Sequence, residues 1–163
     1  MERNHEHLVP PPAWYGNHYP TWDDLESYAW DMGVAVVLGP VSKGAFFASN
    51  PRFGTPAVII IPQGYGLLAR TWSLAHELGH LVLHAGPKGD LSHGRDEAQA
   101  NRWGACALIP LARIHHHQNA SEDAMIAALS AHHEDLPLYD CPARRLAGRI
   151  AKIRLNLLSI EVA

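Results

Sequence analysis

The 163-residue chain carries 13 Lys and Arg against 16 Asp and Glu, a formal net charge of -3, so it has no global cationic footprint for a nucleic acid or an anionic membrane. Apolar residues make up 47% and charged residues 18%, a globular balance that excludes a disordered or fibrous chain and suits one domain with its own core. The apolar runs at residues 34–38 and 57–61 are too short to span a bilayer, and Cys106 and Cys141 read as free thiols of a reducing compartment.

Residues 1–20 are polar, His-dotted and broken by prolines, which predicts an extended arm laid on the surface. They lack the apolar core of a secretory signal, so the expected location is the cytoplasm. A single domain is expected over 21–163, with a core at 21–110 and a helical part at 111–163. Thr21 is a good N-cap, and Leu25, Tyr28, Ala29 and Met32 recur at helical spacing until Gly33. Residues 34–38, 44–49 and 57–61 are short β-rich runs between Gly, Pro and Asn, the pattern of a three-strand meander.

Residues 67–84 are helix-compatible throughout, with Gly86 and Pro87 as the stop. After a loop, Ser92 or Asp96 caps a second helix running to about Ile109, before Pro110, and the two helices are expected to pack antiparallel. Ser121 starts a further helix ending near His133. Pro142 opens the last one, with an apolar stripe of Leu146, Ile150, Ile153 and Leu157. Opposite that stripe lie Arg144, Arg145, Arg149, Lys152 and Arg154, a pattern that usually marks a solvated face and, in a sharper reading, a docking surface for an acidic partner. The fold class is therefore α+β, a small sheet of about three strands beside a helical layer.

Residues 76–80, His-Glu-Leu-Gly-His, form an HExxH motif. On a helix, residues four apart sit one turn apart on one face, so His76 and His80 can reach one ion. Glu77 is offset by about 100° from His76 and about 60° from His80. It flanks the pair without competing for the metal and is placed to take a proton from bound water. With 12 histidines in the chain, the motif arises by accident about 0.04 times, which favours a metal site over two solvated histidines.

A hydrolytic zinc site needs three protein ligands and an open position. Glu97, Ala100, Asn101, Gly104 and Leu108 share one face of the next helix, and the small Ala100 and Gly104 permit close approach to the motif helix. Glu97 is the favoured third ligand, and Asn101, one turn on, can hold a ligand from behind by a hydrogen bond. His93 is the main competitor, with Asp96 and His84 as weaker rivals.

The segments TWSLAHELGHLVLH (71–84) and EAQANRWGACALIP (97–110) together resemble the ImmA/IrrE family of metallo-endopeptidases. That family typically shows an HElGHxxLH helix followed by an ExxANxFAxxLxP helix. Over residues 25–110 the resemblance implies a minimal zincin-like core with the glutamate, here Glu97, as third zinc ligand. Trp103 and Gly104 stand where the family more usually has Phe and Ala, and the region after Pro110 has no recognised counterpart. The resemblance also implies a narrow protein substrate, a helix-turn-helix DNA-binding repressor, cut at a specific bond inside the cell.

His115, His116 and His117 read as a solvated loop in preference to a second metal site. Tyr65, Tyr139, His132 and His133 are the candidates for stabilising the oxyanion of a tetrahedral intermediate. The functional expectation is a Zn²⁺-dependent endopeptidase with ligands His76, His80 and Glu97 and with Glu77 as base, acting on a protein partner, without direct nucleic-acid binding and without a membrane. The alternative is a non-catalytic regulatory or binding module with a structural or vestigial metal. A closed four-ligand site would favour it.

Overall fold

In the computed structural model, which describes residues 12–41, 46–50, 55–83, 93–114, 121–132 and 142–161, Thr21 caps the first helix as its chemistry requires. Its Oγ1 accepts from the Asp24 backbone N–H at 3.2 Å while Asp24 Oδ2 accepts from the Thr21 N–H at 2.7 Å, a reciprocal box that satisfies two donors at the helix start. The helix, α1 (Trp22–Asp31), buries Leu25, Tyr28 and Ala29 on one face. Gly33 follows with φ of 76°, a left-handed turn that costs a glycine little, and swings the chain into the sheet.

The strands are β1 (Val34–Gly39), β2 (Phe46–Asn50) and β3 (Thr55–Pro62), in the spatial order β1-β3-β2. The expected meander is corrected on this point: β1 pairs with β3 in parallel, β2 pairs with β3 antiparallel, and β1 and β2 do not touch as neighbours. Burial explains the order. The run 57–61 takes the middle, with Ile59 and Ile61 fully buried, whereas Val37 and Leu38 of β1 are exposed as on an edge strand.

The helical layer consists of α2 (Leu67–Leu83), α3 (His93–Leu108), α4 (Glu122–His132) and α5 (Pro142–Glu161), with a short 3₁₀ turn at Leu111–Arg113. Leu68, Leu74 and Leu78 of α2 join Ile59 and Ile61 in the core. The turn before α2 is held by Arg70, whose Nε donates to the Tyr65 carbonyl and whose Nη2 donates to that of Gln63. Among the described residues no helix is long and apolar enough to cross a membrane. The architecture is thus α+β, with a small three-strand sheet against a helical layer that carries the motif helix.

Two features depart from a simple reading of amphipathic patterns. Residues 12–18 form turns, and their rings pack inward: Tyr15 stacks on Trp103 at 5.0 Å, and Trp14 meets the edge of Tyr28 at 6.1 Å. On α5 the buried residues are Ala147, Ile150, Ala151, Arg154 and Leu158, so Arg154 does not belong to the solvated basic face. It is 2% exposed, and its Nε donates to the Ile109 carbonyl at 2.8 Å. The reason is local: the last carbonyls of a helix lack intrahelical partners, and here Pro110 closes α3 with no N–H to offer.

Replacing Arg154 with Met keeps most of the aliphatic stem and removes the donor, leaving the buried Ile109 carbonyl without this bond. Arg154→Met is expected to lower the unfolding free energy by about 1–3 kcal/mol. Urea denaturation followed by circular dichroism measures it, and an unchanged midpoint would refute the capping role.

Candidate metal centre

The site is built by one close contact between two helices. A Cβ added at Gly79 of α2 would lie 2.9 Å from the Ala100 carbonyl oxygen and 3.0 Å from its Cα. One added at Gly104 of α3 would lie 3.2 Å from the Trp72 ring and 3.4 Å from the His76 backbone nitrogen. Position 79 thus meets 100 while position 104 meets 72 and 76, so the helices run antiparallel with their backbones nearly touching. Such an approach requires glycine at the first point, where the obstacle is backbone.

This contact brings the donors together. His76 Nε2 stands 3.2 Å from His80 Nε2 and 3.2 Å from Glu97 Oε2, and His80 Nε2 stands 3.0 Å from Glu97 Oε1. Two nitrogens and a carboxylate around a tetrahedral ion, each at about 2.0–2.1 Å, are separated by about 3.3–3.4 Å. The spacing in the protein is close to that edge. His76 is also held in the right tautomer: its Nδ1–H donates to Asn101 Oδ1 at 3.0 Å, which leaves the Nε2 lone pair facing the other donors. Burial, and then the neighbouring His80, lower the His76 pKa and favour the neutral ring that binds metal. The ring of Trp72, one turn earlier, lies 6.2 Å from that of His76.

Glu77 lies outside this donor set. It is 9% exposed and makes no hydrogen bond or ion pair among the described residues, and burial first, then the charge of Glu97, push its carboxyl up to about 7. A buried carboxyl beside three converging donors is a group whose charge a cation would compensate. His76, His80 and Glu97 therefore fit a divalent ion by spacing, tautomer and charge. With the Glu97 side chain 55% exposed, solvent reaches the site on that side.

The other sequence candidates fall as follows. Of His93 and Asp96 only the backbone is described, in the first turn of α3, and the same holds for His132 at the end of α4. His84, His115, His116, His117, His133 and Tyr139 lie outside the described residues. Tyr65 precedes α2, and about 13 Å of helix separates Leu67 from His76, which puts Tyr65 at the far end from the site. Sequence reasoning named Ala100 and Gly104 as contact residues but passed over Gly79 and Trp72. The signal for Gly79 was present, since a glycine inside a helix costs about 1 kcal/mol against alanine and implies a packing reason.

A peptidase family model, described as an IrrE N-terminal-like domain, matches residues 29–133, which include every residue of the site. No curated protein and no solved structure matches the chain.

Two outcomes follow from the geometry. Asn101→Ala removes the acceptor that orients His76, and metal affinity by competitive chelator titration should fall about 10–100-fold; an unaltered affinity would show that packing alone orients the ring. The second concerns the metal-stripped protein. A carboxyl whose folded pKa is raised favours the fold in its acid form, so stability declines as pH rises from the ordinary value of 4.5 through about 7. Glu77→Gln stays neutral and should gain on the parent by up to about 3 kcal/mol over that window. Urea midpoints of both proteins at acid and alkaline ends of the window decide it, a constant difference being the adverse result.

Proposed function

Since the chain belongs to the IrrE N-terminal-like, ImmA/IrrE family of metallopeptidases, we propose that it is a zinc-dependent endopeptidase of the cytoplasm that cuts a specific protein. The observation that carries this reading is the convergence of His76 Nε2 and His80 Nε2, 3.2 Å apart, on the two oxygens of the Glu97 carboxylate at 3.2 and 3.0 Å, beside the buried Glu77. Zinc is assigned on donor chemistry: two imidazoles and one carboxylate on a helix pair are a common set for hydrolytic zinc.

A zinc ion bound there supplies Lewis acidity, lowering the pKa of a water and polarising the scissile carbonyl. Glu77 would take one proton from the attacking water and deliver it to the amine nitrogen of the leaving group as the C–N bond breaks. His76 is kept neutral chiefly by burial and oriented by Asn101, and Glu97 completes the donor set from the facing helix. Three donors among the described residues, with the third half-open to solvent, support a catalytic site over a closed structural one.

The substrate we assign is a helix-turn-helix repressor, on the resemblance of residues 71–84 and 97–110 to the family motifs. The test is to incubate the zinc-loaded protein with the repressor encoded beside its gene and map fragments by mass spectrometry. Cleavage at one bond is expected. Glu77→Gln should keep one zinc per chain by elemental analysis yet lose turnover, because an amide cannot accept the water proton. Undiminished cleavage by that variant would remove Glu77 from its role, and indiscriminate digestion of unfolded proteins would overturn the narrow substrate.

A further inference from the structure

A groove of about 230 Å³ opens between α3 and α5, lined by Ala98, Asn101, Arg102, Ile153, Asn156 and Leu157. It begins where the metal centre ends. Ala98 follows the ligand Glu97 directly, and Asn101 accepts from His76 Nδ1 through its carbonyl oxygen, leaving its amide nitrogen as a donor. A polypeptide held at His76, His80 and Glu97 that continues across α3 therefore meets this groove next.

Its chemistry is divided. Ala98, Ile153 and Leu157 supply apolar walls, and the space holds one large side chain and little more. At the rim, Arg102 is exposed and makes no ion pair or hydrogen bond among the described residues. Arg149 stands one turn before Ile153 on the same stripe of α5, also exposed and also without an ion pair among the described residues. The Arg102 guanidinium at the edge of an apolar trough, with Arg149 one turn from Ile153 on α5, complements a carboxylate attached close to an apolar side chain and disfavours a basic segment. The Asn101 amide nitrogen can donate to a peptide carbonyl.

We propose that this groove is a substrate subsite that takes an apolar side chain flanked by Asp or Glu within the target polypeptide. It rests on the reading of the chain as an endopeptidase and gives that reading a sequence preference. The apolar side chain sits against Ile153 and Leu157, and the acidic side chain pairs with Arg102 at the rim.

The probes are labelled synthetic peptides of equal length with both termini blocked, so that no chain-end carboxylate contributes. One alternates Leu and Glu, one carries Lys in place of each Glu, and one carries Ser in place of each Leu. Binding is followed by fluorescence anisotropy on zinc-loaded Glu77→Gln, which does not consume the probe. The Leu/Glu peptide is expected to bind tightest, and Arg102→Glu in the same background should weaken it by about tenfold or more with zinc content unchanged. No binding of any probe, equal affinity for the Lys peptide, or indifference to Arg102→Glu overturns the subsite. Turnover by the parent on a mixed peptide library is scored separately. Cleavage without preference for acidic-apolar segments sinks the subsite and leaves the peptidase standing, whereas Arg102-dependent binding with no turnover sinks the peptidase and leaves the groove as a binding site.

Discussion

Where α2 and α3 cross, Gly79 faces the backbone of Ala100 at a distance no side chain tolerates. That contact sets the separation of His76 and His80 from Glu97, because the first two stand on one helix and the third on the other. A hydrolytic metal site tolerates little error: ligand distances vary by about 0.2 Å before geometry is lost. Overpacking a helix contact shifts backbones and costs about 1–3 kcal/mol in a well-packed core. A methyl group at position 79 would therefore act on Glu97 without touching it, and the same displacement would pull Asn101 away from the ring it orients.

Much of the remaining fold serves to hold α3 against α2. The sheet backs α2 through Ile59 and Ile61, so the motif helix has a floor. From the other side α3 is fixed at two points. Tyr28 and Tyr15 both stack on Trp103, which ties α3 to α1 and to the segment before it. Arg154 reaches from α5 to the carbonyl of Ile109, where α3 ends. The guanidinium is desolvated to make this bond, a cost that a buried polar group bears only when it is hydrogen-bonded. Its return is an α3 whose C-terminal end is anchored, while the N-terminal end carries Glu97 toward solvent.

The helices were legible because their signals are local: Thr21 as a cap, the spacing of His76 and His80, and the run of small residues at 100 and 104 that share a face with Glu97. Donor convergence was legible for the same reason, since two periodic faces that must pack bring fixed positions together. Strand order was not. A short apolar run says strand but does not say which neighbour, and the parallel pairing of β1 with β3 joins residues 23 positions apart, as with Val34 and Ala57. Arg154 misled for a related reason: helical periodicity sorts residues by type, and a long cationic side chain on the apolar flank reads as solvated until the orphan carbonyl it serves is in view.

Trp103 and Gly104 are neighbours on α3, and the packing couples them. The larger ring at 103 points toward α1 and the turn at 12–18, where it stacks between Tyr28 at 6.4 Å and Tyr15 at 5.0 Å. Enlarging that side alone would press α3 toward α2. The methyl group missing at 104 leaves room on the α2 side, where a Cβ would come within 3.2 Å of the Trp72 ring that neighbours His76. Interiors packed to crystal-like density leave little slack, so the bulk at 103 and the absence of a side chain at 104 act together on the height of α3. The pair thus sets the height of α3 over α2, and with it the spacing of Glu97 from the two histidines.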